Sequence, residues 1–199
     1  MIRANFLDQF VVIPAGLADE NKCLGLYRKS GSTEDAAATI RQNLRPARES
    51  EVEFIPCFKF DELRHSLSVK EISFIKIDVE GAELEVLVGM RKSLQECRPI
   101  VLCEVLFADK NADLEQHEHR NNRLARVLRE LDYRIFQLIK SSNKEDIIGV
   151  KQIEKFTSVY WTTQNEDLCD YLFLPQESAS GALKALLRSG FNDVVGLIS

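Results

Sequence analysis

The stretch Ser73-Phe74-Ile75-Lys76-Ile77-Asp78-Val79-Glu80-Gly81-Ala82-Glu83-Leu84 decides the architecture. Its first half is a nearly continuous apolar run, the mark of a strand buried on both faces within a parallel sheet. Its second half turns sharply, and Gly81 suits such a strand-to-helix turn because it carries no Cβ. A helix follows with Leu84, Leu87 and Val88 on one side, and Arg98-Pro99 ends it. Ile100 to Val105 then reads as the next buried strand.

Further out, the chain keeps alternating. Leu124, Val127, Leu128 and Leu131 fall at i, i+3, i+4 and i+7, which predicts an amphipathic helix over 114–131. Tyr133 to Ile139 and Tyr171 to Leu174 read as strands, and Ala182 to Arg188 as a closing helix. Upstream, Phe10 to Ile13 reads as a short buried strand ending at Pro14, Cys23 to Tyr27 as a second, and Val52 to Phe58 as a third. Phe60 to Leu63 heads a short helix. The polar stretch from Ser30 to Ser50 predicts a long surface loop with one helical turn. This order gives an α/β fold with a doubly wound, mostly parallel sheet in a single domain over 1–199.

In open parallel sheets, ligands sit beyond the carboxyl ends of the strands. Asp78 ends one strand there, Glu80 follows it, and Glu104 closes the next strand. Neighbouring strands lie about 5 Å apart, so Asp78 and Glu104 can line one crevice. Carboxylates so placed hold a cation, orient a hydroxyl or accept its proton. A plainer account also exists. Glu80 and Glu83 stand where a helix dipole favours acids, and Asp78 can cap the same helix. A third account takes Asp78-Val79-Glu80 as a divalent-metal D-x-E pair in a sugar- or phosphate-transfer enzyme.

Composition narrows the classes. A net charge of -5 disfavours a nucleic-acid partner, and Arg41, Arg45 and Arg48 read as solvated surface among acidic neighbours. No apolar run reaches the length of a membrane span, and the N-terminus lacks the apolar core of a signal peptide. Five scattered cysteines without a CxxC pair suit reduced, mostly buried thiols in a cytoplasmic protein. His117 and His119, two apart, point to different helix faces, so no metal site is expected.

The string from Phe74 to Met90, Phe-Ile-Lys-Ile-Asp-Val-Glu-Gly-Ala-Glu-Leu-Glu-Val-Leu-Val-Gly-Met, resembles the signature of FkbM-type S-adenosylmethionine-dependent methyltransferases. Further matches follow in order at Pro14-Ala15-Gly16-Leu17-Ala18-Asp19, Phe60-Asp61-Glu62-Leu63, Pro99 to Glu104, Asp132-Tyr133 and Leu172 to Pro175. Together they cover about residues 10–175. The resemblance implies a Rossmann-like class I sheet and methyl transfer from S-adenosylmethionine, usually to a hydroxyl oxygen of a small molecule or sugar. It implies that Asp78, Glu80 and Glu104 border the reacting groups, with Asp78 or Glu80 as base. Leu17, Ala18 and Asp19, with Asp78, would lie against the cofactor.

One departure carries consequences. No Gly-x-Gly precedes the signature, and the family's first two strands, with their glycine-rich loop and ribose-binding acid, have no counterpart before Phe10. A loop of that kind works through backbone N–H groups. The expectation is therefore a sheet lacking its first two strands, a chain that cannot hold the cofactor as its relatives do, and an uncovered edge at Phe74–Ile77 open to self-association. A non-catalytic remnant acting as an interaction module is the competing reading.

Overall fold

A computed structural model gives the structure of the chain and describes residues 11–31, 35–42, 44, 50–141 and 146–188. Two sheets are present. The smaller joins β1 (Gly16–Leu17), β2 (Lys22–Lys29) and β3 (Ser50–Phe58) in the order β1-β3-β2. β2 and β3 run antiparallel from Lys22↔Cys57 to Lys29↔Ser50, and β1 lies parallel to the end of β3. Val52 and Phe54 are exposed on this sheet, so one of its faces is open.

The larger sheet joins β4 (Phe74–Ile77), β5 (Ile100–Glu104), β6 (Tyr133–Lys140), β7 (Ile147–Ile153) and β8 (Asp170–Pro175) in the order β4-β5-β8-β6-β7. Only β4 and β5 pair in parallel; the remaining three pairings are antiparallel. The expected mostly parallel sheet is thus corrected to a mixed one. A strand's own residues report burial through their period and carry nothing about the direction of its neighbours.

Alternation along these strands fills two cores. Val101, Cys103, Tyr133, Ile135, Tyr171 and Phe173 face one side. There they meet α2 (Glu83–Gly89), α3 (Arg91–Cys97) and α4 (Leu114–Glu130) through residues such as Leu87, Leu94 and Leu128. Phe136, Leu138, Leu172 and Leu174 face the other side, against α5 (Ala179–Arg188) through Ala179 and Leu183. Both sheet faces are therefore covered, as strands with side chains of period two require when each side is apolar. α1 (Phe60–Ser66) packs beside α3.

Three further expectations are corrected. Residues 11–13 form no strand, and Val11 and Val12 are exposed at 82% and 67%; an apolar triplet before a proline has no neighbour to bury it. Phe10 lies outside the described residues. β4 is not buried on both faces, because Phe74, at 55%, and Lys76 are exposed on one of them; no strand lies on its outer side among the described residues. The helix after the signature is two helices, broken at Met90, whose φ of -114° leaves the helical range. Gly89 lies so close to β1 that a Cβ on it would stand 2.0 Å from the Ala18 carbonyl oxygen. α3 then starts afresh under Asp61, whose carboxylate accepts from the Lys92 and Ser93 amides at 2.9 and 2.8 Å. This is a cap supplied from α1 rather than from the preceding residue.

No described helix is long and apolar enough to cross a membrane. Cys57, Cys103 and Cys169 are buried, Cys97 half-buried and Cys23 exposed, all as free thiols.

Candidate active site

The parallel pair β4–β5 brings its two carboxyl ends together. Asp78, Glu80 and Glu104 each offer an oxygen within 4.8 Å of the others. Each is placed by a separate local device. Asp78 follows the last residue of β4 and takes the Lys76 ammonium at 2.8 Å. Glu80 sits in a left-handed conformation at φ 51°, followed by Gly81 at φ 92°. A glutamate there costs about 1–2 kcal/mol of backbone strain, held in place partly by Thr39, whose hydroxyl donates to the Glu80 carbonyl at 2.6 Å. Glu104 ends β5 and accepts from the Cys169 thiol at 3.2 Å.

Their electrostatics diverge. The Lys76 ammonium holds Asp78 below its ordinary range, against some desolvation, with a hydrogen bond from Glu104 adding to the effect. Burial pushes Glu104 up, and the negative charges of Asp78 and Asp170 push it further. Two adjacent carboxyls whose protons are held so differently divide into an ionised partner and a proton carrier. The same three oxygens would also suit a positive charge placed among them.

The other named positions fall differently. Leu17 lines a groove of about 530 Å³ that runs beside β4 with Phe60, Ile75, Ile77 and Val79. Ala18 is buried at 1%, its amide donating to the Phe58 carbonyl and its own carbonyl packed on Gly89, and Asp19 is exposed. Neither lines that groove.

Beyond the signature turn lies a second cluster that the sequence reading did not single out. Glu83, the first residue of α2, is 5% exposed and accepts from the Gly81 amide at 2.7 Å. Burial raises its carboxyl to about 7. Arg120 on α4 grips Glu85 with both terminal nitrogens at 2.8 Å and reaches the Gly81 carbonyl at 3.0 Å. Arg41 joins Glu85 from the β2–β3 connection at 3.4 Å, with its side chain only 26% exposed. It is therefore a partner of Glu85 and not solvated surface; Arg45 and Arg48 lie outside the described residues. His117 Nε2 lies 3.0 Å from the Leu106 carbonyl and so carries the ring proton. Burial lowers its pKa, with the nearby Arg120 and Arg41 charges adding to the effect. His117, Arg120 and Asn121 stand at i, i+3 and i+4, one face of α4. That spacing was the available signal, and pairing His117 with His119 hid it.

Glu83 also makes stability depend on pH. Its folded value near 7 exceeds the ordinary 4.5, so the native state holds an extra proton between the two. That contribution is fully present below about pH 4.5 and lost as pH rises through 7. Glu83→Gln, which keeps an acceptor for the Gly81 amide, should match the parent near pH 4.5 and exceed it above pH 7 by about 1–3 kcal/mol. Urea unfolding at pH 5 and pH 8 measures this; equal midpoints for the two proteins at pH 8 would remove the buried ionisation.

No curated protein and no solved structure matches the chain. A family model described as Methyltransferase FkbM domain matches residues 5–135. The match takes in β1 to β5, the acid cluster at the ends of β4 and β5, and α4 with its polar face. With most of its length and the whole of its carboxylate cluster inside that match, the chain belongs to the FkbM methyltransferase family.

Proposed function

We propose that the chain transfers a methyl group from S-adenosylmethionine to a hydroxyl oxygen of a small molecule or sugar, with the Asp78–Glu80–Glu104 cluster at the reacting centre. The observation that carries this reading is the divided pair. Glu104 has a raised affinity for a proton while Asp78, a neighbour within 4.8 Å, stays ionised.

Chemistry decides whether the residues fit the cofactor. Three carboxylates suit the positive sulfonium, and the apolar groove beside β4, which Leu17 lines, suits a flat adenine. Asp78 would face the charged end and Leu17 the adenine edge, with Ala18 and Asp19 following in the chain. The cofactor supplies an electrophilic methyl group on a cationic sulfur. The residues supply the remainder. Glu104 takes the acceptor's proton as oxygen becomes nucleophilic. Asp78, pinned by Lys76, keeps a negative charge beside it and so sustains Glu104's basicity. The rigid Glu80–Gly81 turn fixes the spacing between the groups, and positioning of this kind supplies much of the rate.

Calorimetric titration with S-adenosylmethionine, beside an Asp78→Ala variant, tests the reading. Micromolar binding weakened by the substitution is expected. A folded chain that leaves the methyl donor unbound overturns it in favour of a non-catalytic interaction module. A second proposal concerns partners. The uncovered β4 edge, with its exposed Phe74, favours self-association by strand pairing, and sedimentation of the parent against Phe74→Lys tests it.

A further inference from the structure

A cavity of about 320 Å³ opens beyond the acid cluster, between the loops that follow β4 and β5 and the start of α4. Its volume lies in the range of small-ligand sites. Two polar side chains that line it, Glu83 and Asn121, are themselves more than nine-tenths buried. Asn121 is oriented by its amide, which donates to the Ser158 hydroxyl at 3.0 Å. Side chains held this rigidly recognise a ligand's hydrogen-bonding pattern rather than its bulk.

The charges on the walls nearly cancel. Arg41 and Arg120 contribute two positive groups, Glu85 answers them from behind, and Asp109 and Asp113 stand on the α4 side. With both arginines already bound to Glu85 and two further carboxylates on the wall, an anion is disfavoured by such a lining. The remaining chemistry is neutral: carboxyl, amide and guanidinium groups that can bind hydroxyls, over apolar patches from Leu44, Val105 and Leu106.

A second cavity of about 480 Å³ adjoins the first and shares Leu44, Leu106 and Asp109 with it. Trp161, the only tryptophan in the chain, lines this one and is 50% exposed. It is held there by its backbone amide, which donates to the Ala108 carbonyl at 2.8 Å. A half-exposed indole beside a polar pocket offers a face for stacking. The C–H face of a sugar ring is apolar and slightly positive, and it complements the negative face of the indole.

We infer that the two cavities form a saccharide-binding site for the methyl acceptor, with one ring held among Glu83, Asn121 and Arg120 and a second laid against Trp161. This deepens the proposed methyl transfer and rests on it, since it names the acceptor as a saccharide of at least two units. The hydroxyl to be methylated lies on the ring in the first cavity, because that cavity begins at Gly81 and Val105, close in the chain to Glu80 and Glu104.

The unique indole provides the readout. The purified chain is titrated with maltose, cellobiose, lactose, sucrose and chitobiose while Trp161 emission is followed, and with inorganic phosphate and cyclohexanol as an anionic and an apolar probe. At least one disaccharide should give a saturable change at millimolar concentration or below, weakened about tenfold in Glu83→Gln, which replaces one buried carboxyl oxygen by an amide nitrogen. Trp161→Phe, followed by the His117 ring signals in NMR, should weaken the same ligand without unfolding the chain. The inference is overturned if no disaccharide binds, if binding is unchanged in both variants, or if phosphate or cyclohexanol binds there in preference. Calorimetry with S-adenosylmethionine on the same preparation separates the two readings. Methyl-donor binding without any saccharide sinks this inference alone, whereas saccharide binding without the donor sinks the methyl transfer and leaves a sugar-binding site.

Discussion

Glu104→Gln is expected to lower methyl transfer by about 10²–10⁴-fold, the range for loss of a positioned general base, while leaving the fold intact. The substitution is nearly isosteric, and its side-chain oxygen can still accept from the Cys169 thiol that now meets Glu104 at 3.2 Å. The pH profile distinguishes a base from a mere spacer. Glu104 must be ionised to take a proton, so the rate of the parent should fall as pH drops through a value above the ordinary 4.5. Asp78→Asn removes one of the negative charges that raise Glu104, so its acidic limb should move to lower pH even as its rate falls. A limb that stays in place would assign the proton transfer to another group. An active Glu104→Gln enzyme with the parent's rate would reject the role outright.

The second large effect is structural. Phe173→Ala should cost about 3–5 kcal/mol, read as a shift of the urea midpoint at constant slope. Phe173 is fully buried on β8 and faces Val101 on one side and Ile135 on the other. Its ring meets Phe156 edge-on at 6.1 Å, as Tyr171 does at 4.9 Å. Truncation leaves a hole at the middle of the sheet, where neighbouring side chains cannot close in. Domains of this size are stable by about 5–15 kcal/mol, so the loss is a large share of the total. A cost below about 1 kcal/mol would mean that the core repacks around the gap.

The contrast between these two residues shows what the sequence made legible. Glu104 was found because a strand's last residue faces the crevice wherever parallel neighbours exist, and Asp78 and Glu104 do stand at the carboxyl ends of the parallel pair β4–β5. β8 was also found, because Tyr171 to Leu174 is apolar on both faces. Its direction was not, since a buried strand reads alike whichever way its neighbours run. β7 escaped altogether. Its run Ile-Ile-Gly-Val-Lys-Gln-Ile carries a glycine and two polar residues in seven, too weak a pattern to stand apart from loop. The break at Met90 is marked locally only by Gly89, which lets Ala18 approach, a residue more than seventy positions earlier. The cavity walls were hidden for a similar reason. Arg41, Glu83, Arg120 and Trp161 come from four separate segments, and Arg41 alone looks like any solvated cation.

The place of β8 in the sheet bears on how the protein is made. β4–β5 and β6–β7 are two separate ribbons until β8 enters between β5 and β6. On a ribosome adding about 5–20 residues per second, the roughly 65 residues from the end of β5 to the start of β8 take of the order of ten seconds. For that interval β5 keeps an unsatisfied backbone edge and Glu104 stands without its thiol partner. The crevice at the acid cluster is thus closed on one side by the last of the described strands. A nascent chain stalled before Asp170 should be bound by chaperones and cleaved by protease at β5, and protection should arrive abruptly once β8 clears the exit tunnel.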